Sequence, residues 1–456
     1  MKLLLLGAGI RTPLLLSGLI RRQHTLGLTE VRLYDDDSAR LATMGEFARY
    51  LGQRQGASFQ ITVVDDFREA AAGVGFVFSA IRVGQEAQRV RDERIPLKYG
   101  VLGQETTGPG GFAMAIRTIP VVLDYARVLH EVAPDAWFVN FTNPAGLITQ
   151  ALLTHSPLRR VIGICDTPTA MLKSLAAFLR YLPQELFADY FGLNHLGWIR
   201  RVLIGDHDVL PELLDRYEEL AARDKEWALF DPALVRMLGM LPNEYLFYYY
   251  SREQAVHNIL AAENTRGEQL RDINTPLWHE LAQLLAAERP EDARARYEAR
   301  MMTRNASYMT RESGRAGQDA SAEESIFADE GYAGLAMAVM EAVVQQRQRT
   351  LILNVRNNGC LRELNDDDVI ETVCAVDHHG AVPFAQPPMP LVAAPLVQTV
   401  KAYERLTITA AVTGAYDAAL AALTIHPLVM SYPLAKQILD DYLHAGNVQL
   451  CALRSH

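Results

Sequence analysis

The segment KLLLLGAG at residues 2–9 constrains the fold of this chain more than any other. The apolar run has the length of a buried strand, and the sequence GAGIRT follows it at residues 7–12. A buried strand that enters a glycine turn and then a helix is typical of the first unit of an α/β domain. Pro13 suits the first turn of that helix, and Thr12 is its predicted N-cap.

Further apolar runs of strand length alternate with helical stretches in the N-terminal third of the chain. They read EVRLYDDD, FQITVVDD, GFVFSAI, AWFVNFTNP and RRVIGIC. Because near-continuous apolar strands between helices are buried on both faces, the pattern predicts a doubly wound, Rossmann-like parallel sheet over residues 1–165. Residues 166–456 begin with two predicted strands around a GDHD turn and continue mainly as helices. They are predicted to form a second, mixed α+β domain with a helical C-terminus.

Charge and composition exclude several classes of function. The chain has 456 residues and a net charge of −10, which argues against nucleic acid and anionic membranes as partners. It has no apolar run near the ~20 residues that span a bilayer. The four cysteines lack the spacing of a disulfide framework, so we expect a reducing, cytoplasmic location.

The motif GAGIRT is a partial dinucleotide-binding fingerprint, with threonine at its third position. The glycines suit a tight turn and close approach to a pyrophosphate, and an acid ending the second strand could bind a ribose 2′-hydroxyl. The acidic DDD run favours NAD over NADP, although the glycines could also serve only to turn a strand into a helix. The predicted cofactor-binding residues are Gly7, Gly9, Ile10, Arg11, Thr12 and Asp35.

Cys165 follows the last predicted parallel strand, at the sheet edge where ligands of open α/β sheets bind. His195 is predicted to lie on a strand thirty residues later. A thiolate and an imidazole together suit a borderline divalent ion and leave coordination positions open for substrate oxygens. Taken singly, Cys165 could be a small buried apolar side chain and His195 a structural hydrogen-bonding group.

The loop GQETTGPGG at residues 103–111 is a third candidate element. Its glycines at 108, 110 and 111 are predicted to let the backbone approach a ligand beside a helix N-terminus. Glu105 could accept hydrogen bonds from sugar hydroxyls.

Together these segments resemble glycoside hydrolase family 4, the NAD- and divalent-metal-dependent glycosidases, and especially its 6-phospho-β-glucosidase branch. The matching stretches are GAGIRTP, DERIPLKYGVLGQETTGPGGFAMAIRT, VNFTNPAG, GICDTP, GLNHLGW, YLFYYY and NVRNNG, spread over residues 7–359. The resemblance implies an overall fold like that of lactate and malate dehydrogenases. It also implies NAD⁺, one Mn²⁺-like ion per subunit, a phosphorylated glycoside as substrate, and a homodimer or homotetramer. Residues 166–456 would be the domain for substrate and metal binding and oligomerisation.

The resemblance also assigns roles to individual residues. Cys165 and His195 would hold the ion, and Tyr245 would be the general base. The implied substrate-binding residues are Glu105 and Asn143 for the sugar hydroxyls, with Arg89 and Arg266 for the 6-phosphate. The implied reaction oxidises C3 with NAD⁺, removes the C2 proton, eliminates the group at C1, adds water and returns the hydride.

The sequence departs from the family pattern at three positions. Asp166 stands where β-acting members often carry asparagine, and a carboxylic acid there could protonate the leaving group as in α-acting members. Ile10 stands where serine is usual, and Arg91 adds a charge that either widens a phosphate site or, as we favour, pairs with Glu93 at the surface. The anomeric preference therefore stays open.

The sequence leaves four alternatives to a 6-phospho-β-glucosidase. Two lie within the family: a 6-phospho-α-glucosidase and an enzyme for unphosphorylated glycosides. A third is a 2-hydroxy acid dehydrogenase, in which Cys165, His195 and Tyr245 would have no role. The fourth is a sugar-phosphate sensor without catalytic activity.

Overall fold

The structure, a computed structural model, describes residues 1–315, 326–327 and 331–450. Its strands are β1 (Lys2–Leu6), β2 (Glu30–Tyr34), β3 (Gln60–Val63), β4 (Phe76–Ser79), β5 (Trp137–Asn140), β6 (Val161–Gly163), β7 (Leu186–Leu193), β8 (Leu196–Ile204), β9 (His207–Asp208), β10 (Leu241–Pro242), β11 (Arg349–Arg356), β12 (Val369–Asp377) and β13 (Gly380–Pro383).

The helices lie between and after these strands. They are α1 (Thr12–Leu26), α2 (Ser38–Gln55), α3 (Phe67–Ala71), α4 (Gln85–Leu97), α5 (Gly108–Val132), α6 (Ala145–His155), α7 (Thr167–Leu179), α8 (Leu210–Asp215), α9 (Tyr217–Arg223), α10 (Pro232–Leu238), α11 (Phe247–Tyr250), α12 (Arg252–Ala261), α13 (Arg266–Ala286), α14 (Pro290–Ala306), α15 (Thr310–Ser313), α16 (Gly331–Gln345), α17 (Ala394–Thr413), α18 (Tyr416–Ile425) and α19 (Tyr432–His444). Short 3₁₀ helices cover Pro183–Glu185, Trp227–Leu229 and Glu244–Leu246. Over the described ranges, the chain forms no helix with the length and apolar character to cross a membrane.

A large sheet forms the centre of the molecule. In the described part of the chain it has nine strands in the order β13-β12-β11-β6-β5-β4-β1-β2-β3. The six strands from β1 to β6 pair in parallel, in the doubly wound order of a dinucleotide-binding fold. The predicted Rossmann-like sheet is therefore confirmed.

Three antiparallel strands continue this sheet beyond β6. The apolar run RTLILNV at residues 349–355 predicts the first of them, β11, but β12 and β13 were not predicted. β11 pairs with β6 and with β12, and β12 pairs with β13. β12 carries buried polar side chains at Glu371 and Thr372, which interrupt the apolar pattern of a central strand. The large sheet thus draws strands from both sides of residue 165, and the division into domains at that residue stays a prediction.

Two apolar clusters cover the two faces of the large sheet. Alternate residues of β1 enter opposite clusters, Leu3 and Leu5 on one face and Leu4 and Leu6 on the other. Helices α1, α2 and α16 contribute to the first face, and helices α5, α6 and α17 to the second. Both faces are buried, as the continuous apolar strands require.

The start of α1 differs from the prediction. Thr12 is the first residue of the helix, and no side chain caps it at the preceding position. The Thr12 hydroxyl instead donates to the Gly7 carbonyl at 3.3 Å. Thr12 therefore stabilises the glycine turn from the first position of the helix.

A small antiparallel sheet holds the hairpin of β7 and β8. Leu193 pairs with Leu196, so the turn consists of Asn194 and His195 alone. The prediction that His195 lies on a strand is wrong, because it occupies this turn with φ of +61°. The predicted GDHD turn exists further on, but it joins β8 to the two-residue strand β9.

Candidate active site

A cavity of about 940 Å³ opens at the carboxyl ends of the parallel strands. This is the edge of an open α/β sheet where ligands bind. The cavity is lined by every predicted site residue: Gly7, Gly9, Ile10, Arg11, Thr12, Asp35, Arg89, Glu105, Asn143, Cys165, Asp166, His195, Tyr245 and Arg266. The structure therefore brings all of them together.

The two glycines of the GAG turn differ in what surrounds them. Gly7 has φ of +100°, and a Cβ there would stand 2.9 Å from the Ala80 carbonyl oxygen. Gly9 has no atom within 4 Å of such a Cβ, so its backbone borders open space. The first glycine thus serves the turn, and the second leaves room for a ligand at the N-terminus of α1, which fits a dinucleotide phosphate.

Asp35 holds this loop in place. Its Oδ2 accepts a hydrogen bond from the Ala8 amide at 2.8 Å, and its Oδ1 accepts one from the Asp37 amide at 3.0 Å. Burial raises the pKa of the Asp35 carboxyl to about 6, while these hydrogen bonds oppose the shift. The carboxylate remains at the cavity wall, where it could also accept from a ribose hydroxyl.

Cys165 and His195 face each other at the other end of the cavity. The Cys165 Sγ lies 3.5 Å from the His195 Nε2, and both side chains are buried. Sulfur and nitrogen ligands at about 2.3 Å and about 2.1 Å from one ion stand about 3.1–3.6 Å apart at angles of about 90–109°. The observed separation fits a shared divalent ion. Among the described residues no cluster of three or more such ligands occurs, so substrate or water would complete the shell.

Burial favours the neutral forms of both groups. It raises the pKa of the Cys165 thiol, with Glu371 and Asp166 adding to the shift. It lowers the pKa of His195 to about 3, so that the imidazole is neutral and available as a ligand. A divalent cation beside the thiol would offset its desolvation and favour the thiolate.

Tyr245 stacks on the imidazole of His195, with ring centroids 3.8 Å apart and planes inclined by 12°. Its hydroxyl accepts a hydrogen bond from Tyr308 at 3.3 Å. Tyr308 also approaches Glu244 Oε1 at 3.4 Å, and the Thr167 hydroxyl donates to the same oxygen at 2.8 Å. Burial raises the pKa of Tyr245 well above its ordinary value, with Glu244 and Cys165 adding to it.

Glu105 accepts ion pairs from two arginines rather than standing free for a sugar. Arg82 and Arg89 both bind its carboxylate, and they hold its pKa at about 2 although burial opposes them. Arg89 also donates to Glu93 at 2.8 Å. The expected pairing of Arg91 with Glu93 is wrong, because Arg91 reaches the Ala445 carbonyl at 3.3 Å.

Arg266 and Arg304 form a second basic group on the cavity wall. Arg266 donates to the Ser307 hydroxyl at 2.7 Å and to the Arg304 carbonyl at 2.9 Å. The Nε and Nη1 atoms of Arg304 are shielded from solvent and have no hydrogen-bond partner in the described structure. Burial lowers the pKa of Arg304 well below its ordinary value, and the nearby Arg11, Arg266, Arg82 and Arg89 add to this.

The glycines at 108, 110 and 111 do not serve the cavity as predicted. A Cβ at Gly110 would stand 2.0 Å from the Gln104 carbonyl oxygen, and one at Gly111 would stand 2.4 Å from that of Thr106. Gly110 and Gly111 therefore allow the chain at 104–106 to pack directly on α5. Their effect on the site is indirect, since that packing holds Glu105 at the cavity wall.

Comparison with known proteins identifies the family. The profile of the family 4 glycosyl hydrolases matches residues 2–181, and that of the family's C-terminal domain matches residues 190–429. The chain belongs to glycosyl hydrolase family 4. The resemblance inferred from the sequence motifs, and with it the prediction of a glycosidase, is confirmed.

Individual relatives of this family 4 chain extend over its whole length. A probable 6-phospho-beta-glucosidase from Bacillus subtilis is 32% identical, with 99% of this chain and 97% of the relative covered. The structure of the Thermotoga maritima 6-phospho-beta glucosidase with manganese, NAD⁺ and glucose-6-phosphate matches with a TM-score of 0.81 at 27% identity, covering 99% and 100% of the two chains. The structure of a 6-phospho-alpha-glucosidase from gut microorganisms in complex with NAD and Mn²⁺ matches with 0.83 at 25% identity, covering 99% of each chain.

The likeness extends to the dehydrogenase fold. A malate dehydrogenase from Plasmodium falciparum matches with a TM-score of 0.52 at 10% identity, covering 90% of this chain and 98% of that one. At this identity only the fold is shared, and the predicted architecture is confirmed.

Four residues at or next to this cavity could not be predicted from the sequence. Glu244 directly precedes the motif YLFYYY at residues 245–250, and its acid type was the available signal. Arg304 lies on α14 among six other charged residues, and no local pattern separates it from a solvated helix face. Tyr308 and Glu371 reach the site through tertiary contacts alone, which no sequence spacing records.

Proposed function

We propose that this family 4 chain hydrolyses 6-phospho-β-glucosides with NAD⁺ and one divalent ion, such as Mn²⁺. The observation that carries the proposal is the Cys165–His195 pair at 3.5 Å with Tyr245 stacked on the imidazole, in one cavity with the GAG turn. The relatives named as 6-phospho-beta-glucosidases and the NAD⁺ and manganese of the Thermotoga maritima structure support it. A hydride transfer from a 2-hydroxy acid to NAD⁺ would leave the pair and the tyrosine without a role.

The charge of the cavity supports a phosphorylated substrate. Arg11, Arg82, Arg89, Arg266 and Arg304 line its wall, while Glu105 is bound by two of them. Arg304 places two donors without partners in a buried position, which costs free energy unless an anion accepts from them. We propose that Arg304 and Arg266, with Arg89 beside them, bind the 6-phosphate.

The proposed reaction divides between the cofactors and the chain. NAD⁺ would supply a hydride acceptor for C3 of the sugar, and the ion would supply positive charge at the oxygens on C2 and C3. Tyr245 removes the proton from C2, and the stacking of its ring on the imidazole of His195 supports this role. Asn143 orients the sugar hydroxyls, Glu105 holds Arg82 and Arg89 at the cavity wall, and Cys165 and His195 fix the position of the charge. Elimination at C1, addition of water with return of a proton to C2, and return of the hydride to C3 would complete the hydrolysis.

A second candidate is hydrolysis of 6-phospho-α-glucosides, and Asp166 favours it. This side chain is 42% exposed, lines the cavity next to Cys165, and lies 3.9 Å from Arg11. A carboxyl group there could protonate the leaving group on one face of the sugar. The alpha-acting relative of known structure matches this chain as well as the beta-acting one does.

A turnover panel tests both candidates. It uses 4-nitrophenyl α- and β-glucosides, each with and without 6-phosphate, and a 2-hydroxy acid, all under reducing conditions. We expect turnover of the phosphorylated β-glucoside only when NAD⁺ and Mn²⁺ are both present. Turnover of the phosphorylated α-glucoside instead would select the second candidate. Preference for plain glucosides, or oxidation of the hydroxy acid, would contradict the proposed function.

Location and assembly stay predictions. A cytoplasmic location is consistent with buried thiols at Cys165, Cys360 and Cys374, which form no disulfide with one another. The expected dimer or tetramer is open to measurement by light scattering.

A further inference from the structure

Glu371 lies on β12 and is 1% exposed, far from the loops that carry the predicted site residues in the sequence. Its two carboxylate oxygens accept three hydrogen bonds, from Asn194, Asn354 and Tyr190. A buried carboxylate with three convergent donors is a fixed point in the structure, because moving it would leave all three donors without an acceptor.

The first hydrogen bond leads to the metal-ligand turn. Asn194 Nδ2 donates to Glu371 Oε1 at 3.0 Å, and Asn194 is the other residue of the two-residue turn that carries His195. The Asn194 Oδ1 also accepts from the Gly146 amide at 3.4 Å. His195 has φ of +61°, a conformation that residues other than glycine adopt only when their surroundings impose it.

The second hydrogen bond leads to the strand before the thiol. Asn354 Nδ2 donates to Glu371 Oε1 at 2.8 Å. Asn354 is in register with Gly163, the last residue of β6, two positions before Cys165. Glu371 therefore fixes β11 against the strand that presents the thiol.

The third hydrogen bond leads to the tyrosine. The Tyr190 hydroxyl donates to Glu371 Oε2 at 2.9 Å and accepts from Asn243 Nδ2 at 3.1 Å. Asn243 lies two positions before Tyr245, and its backbone amide donates to the Gly197 carbonyl at 3.0 Å. One carboxylate is thus connected to each of the three segments that carry Cys165, His195 and Tyr245.

We propose that Glu371 is a positioning residue that holds Cys165, His195 and Tyr245 in their mutual alignment. The inference rests on the proposed function only in assigning a metal to the aligned pair. Glu371 acts through its neighbours: Asn194 sets the His195 turn, Asn354 sets the end of β6, and the Tyr190–Asn243 link sets Tyr245.

The chemistry of the three donors distinguishes two substitutions. In Glu371→Gln the amide oxygen can still accept from both asparagines, while the Tyr190 hydroxyl loses its acceptor because the amide nitrogen can only donate. In Glu371→Ala all three donors lose their acceptor. Glutamine should therefore keep Cys165 and His195 aligned, and alanine should not.

The test measures Mn²⁺ binding to the whole chain by electron paramagnetic resonance of free Mn²⁺, with Mn²⁺ alone as the probe. We expect Glu371→Ala to weaken Mn²⁺ binding about 10–100-fold, the usual effect of losing a residue that orients a metal ligand, and Glu371→Gln to stay within about threefold of the wild type. Asn194→Ala should reproduce the loss, which keeps the test available if the Glu371→Ala chain does not fold. Tyr190→Phe should instead leave Mn²⁺ binding unchanged and lower kcat, because it loosens only the link to Tyr245.

The matched control is Asp189→Asn. Asp189 is a buried acid on β7 next to Tyr190, and it accepts from Arg200 at 3.1 Å and not from Asn194 or Asn354. The Asp189→Asn variant should have a lower melting temperature and an unchanged Mn²⁺ affinity. Equal loss of affinity in Asp189→Asn and Glu371→Ala, or unchanged affinity in both Glu371→Ala and Asn194→Ala, would overturn the proposal.

Crystal structures of the variants give a readout that needs no metal. In Glu371→Ala the separation of Cys165 Sγ and His195 Nε2 should widen from 3.5 Å, and in Glu371→Gln it should not. An unchanged separation in Glu371→Ala would also overturn the proposal. If the wild type binds no Mn²⁺, the metal of the proposed function fails, and this separation still decides the role of Glu371.

Discussion

The ring of Tyr245 lies against the imidazole of His195, with centroids 3.8 Å apart, while the Nε2 of the same imidazole lies 3.5 Å from the thiol of Cys165. The imidazole therefore touches the proposed base with its face and the second proposed ligand with its edge. A change at any one of the three residues should affect the other two.

The proposed metal pair is the first target. We expect Cys165→Ser and His195→Ala each to abolish turnover and to remove measurable Mn²⁺ binding, because a site with two protein ligands loses half of them. Circular dichroism should show the wild-type secondary structure in both variants. Full activity of either variant in chelated buffer would contradict the metal assignment.

The GAG turn offers a matched pair of substitutions. Gly9→Ala should leave the melting temperature unchanged and weaken NAD⁺ binding, because the added methyl group enters open space at the predicted pyrophosphate site. Gly7→Ala should instead destabilise the fold, because it combines φ of +100° with a contact of 2.9 Å to the Ala80 carbonyl. Calorimetry and an NAD⁺ titration separate the two effects. If Gly9→Ala binds NAD⁺ with wild-type affinity, the GAG turn does not contact the cofactor.

The parallel half of the sheet could be predicted from the sequence because its strands are apolar on both faces. β1 places every residue from Leu3 to Leu6 in the core, so its sequence carries the whole signal. β12 could not be predicted in this way, because Glu371 and Thr372 are buried there by hydrogen bonds that other segments supply. In a sequence, a polar residue predicts an exposed position, and its burial can be recognised only when its hydrogen-bond partners are known.

The site shows the same division between local and tertiary information. Cys165 was recognisable because a strand end is a local feature that topology places at the ligand edge. The position of His195 in a turn was not recognisable, because a two-residue hairpin turn is usually marked by Asn-Gly or Asp-Gly, and here it consists of Asn194 and His195. The expectation that the glycines of the 103–111 loop face a ligand failed because a glycine permits close approach of any backbone, and here the approaching backbone is the chain's own.

Replacing Arg304 on the cavity wall should lower the activity on phosphorylated substrates and raise the stability of the fold. Arg304→Met should reduce kcat/KM for phosphorylated substrates about ten- to a hundredfold, or ~1.5–3 kcal/mol, and should spare plain glycosides. The same change should raise the melting temperature of the ligand-free chain, because it removes a buried cation whose Nε and Nη1 have no partner.

The control for Arg304 is on the same helix. Arg296 is 52% exposed and lies 3.5 Å from Glu280. Arg296→Met should therefore change neither kcat/KM for phosphorylated substrates nor the melting temperature. Equal losses on phosphorylated and plain substrates in Arg304→Met would mean that this arginine serves the fold and not the phosphate.

The raised pKa of Glu244 predicts that the stability of the fold depends on pH. Burial raises the pKa of its carboxyl from 4.5 to about 7. Between these values the folded chain holds a proton that the unfolded chain has lost, so stability falls as pH rises through about 4.5–7, by at most roughly 3 kcal/mol. Glu244→Gln should remove this contribution. The difference in melting temperature between variant and wild type should therefore grow in favour of the variant from pH 5 to pH 7 in chelated buffer, and a difference that does not change with pH would contradict the shift.

The last prediction concerns the bond that the reaction breaks first after oxidation. If Tyr245 removes the proton from C2, hydrolysis in D₂O should place deuterium at C2 of the sugar product, because the phenol exchanges its proton with solvent before returning one. A direct displacement at C1 would leave the C2–H bond intact. Mass spectrometry or NMR of the released sugar phosphate measures the incorporation.

Variants of the tyrosine pair and of Asp166 assign the steps. Tyr245→Phe should lose most turnover and keep NAD⁺ binding, since it retains the ring that stacks on His195. Tyr308→Phe should lower kcat less, because its hydroxyl only donates to that of Tyr245 at 3.3 Å. Asp166→Asn should slow poor leaving groups and spare nitrophenyl ones if Asp166 is an acid for the leaving group, and it should weaken Mn²⁺ binding for every substrate if it orients Cys165. Product without deuterium at C2, or a fully active Tyr245→Phe, would exclude the elimination route for this chain, since no other step of the proposed reaction exchanges the hydrogen at C2 with solvent.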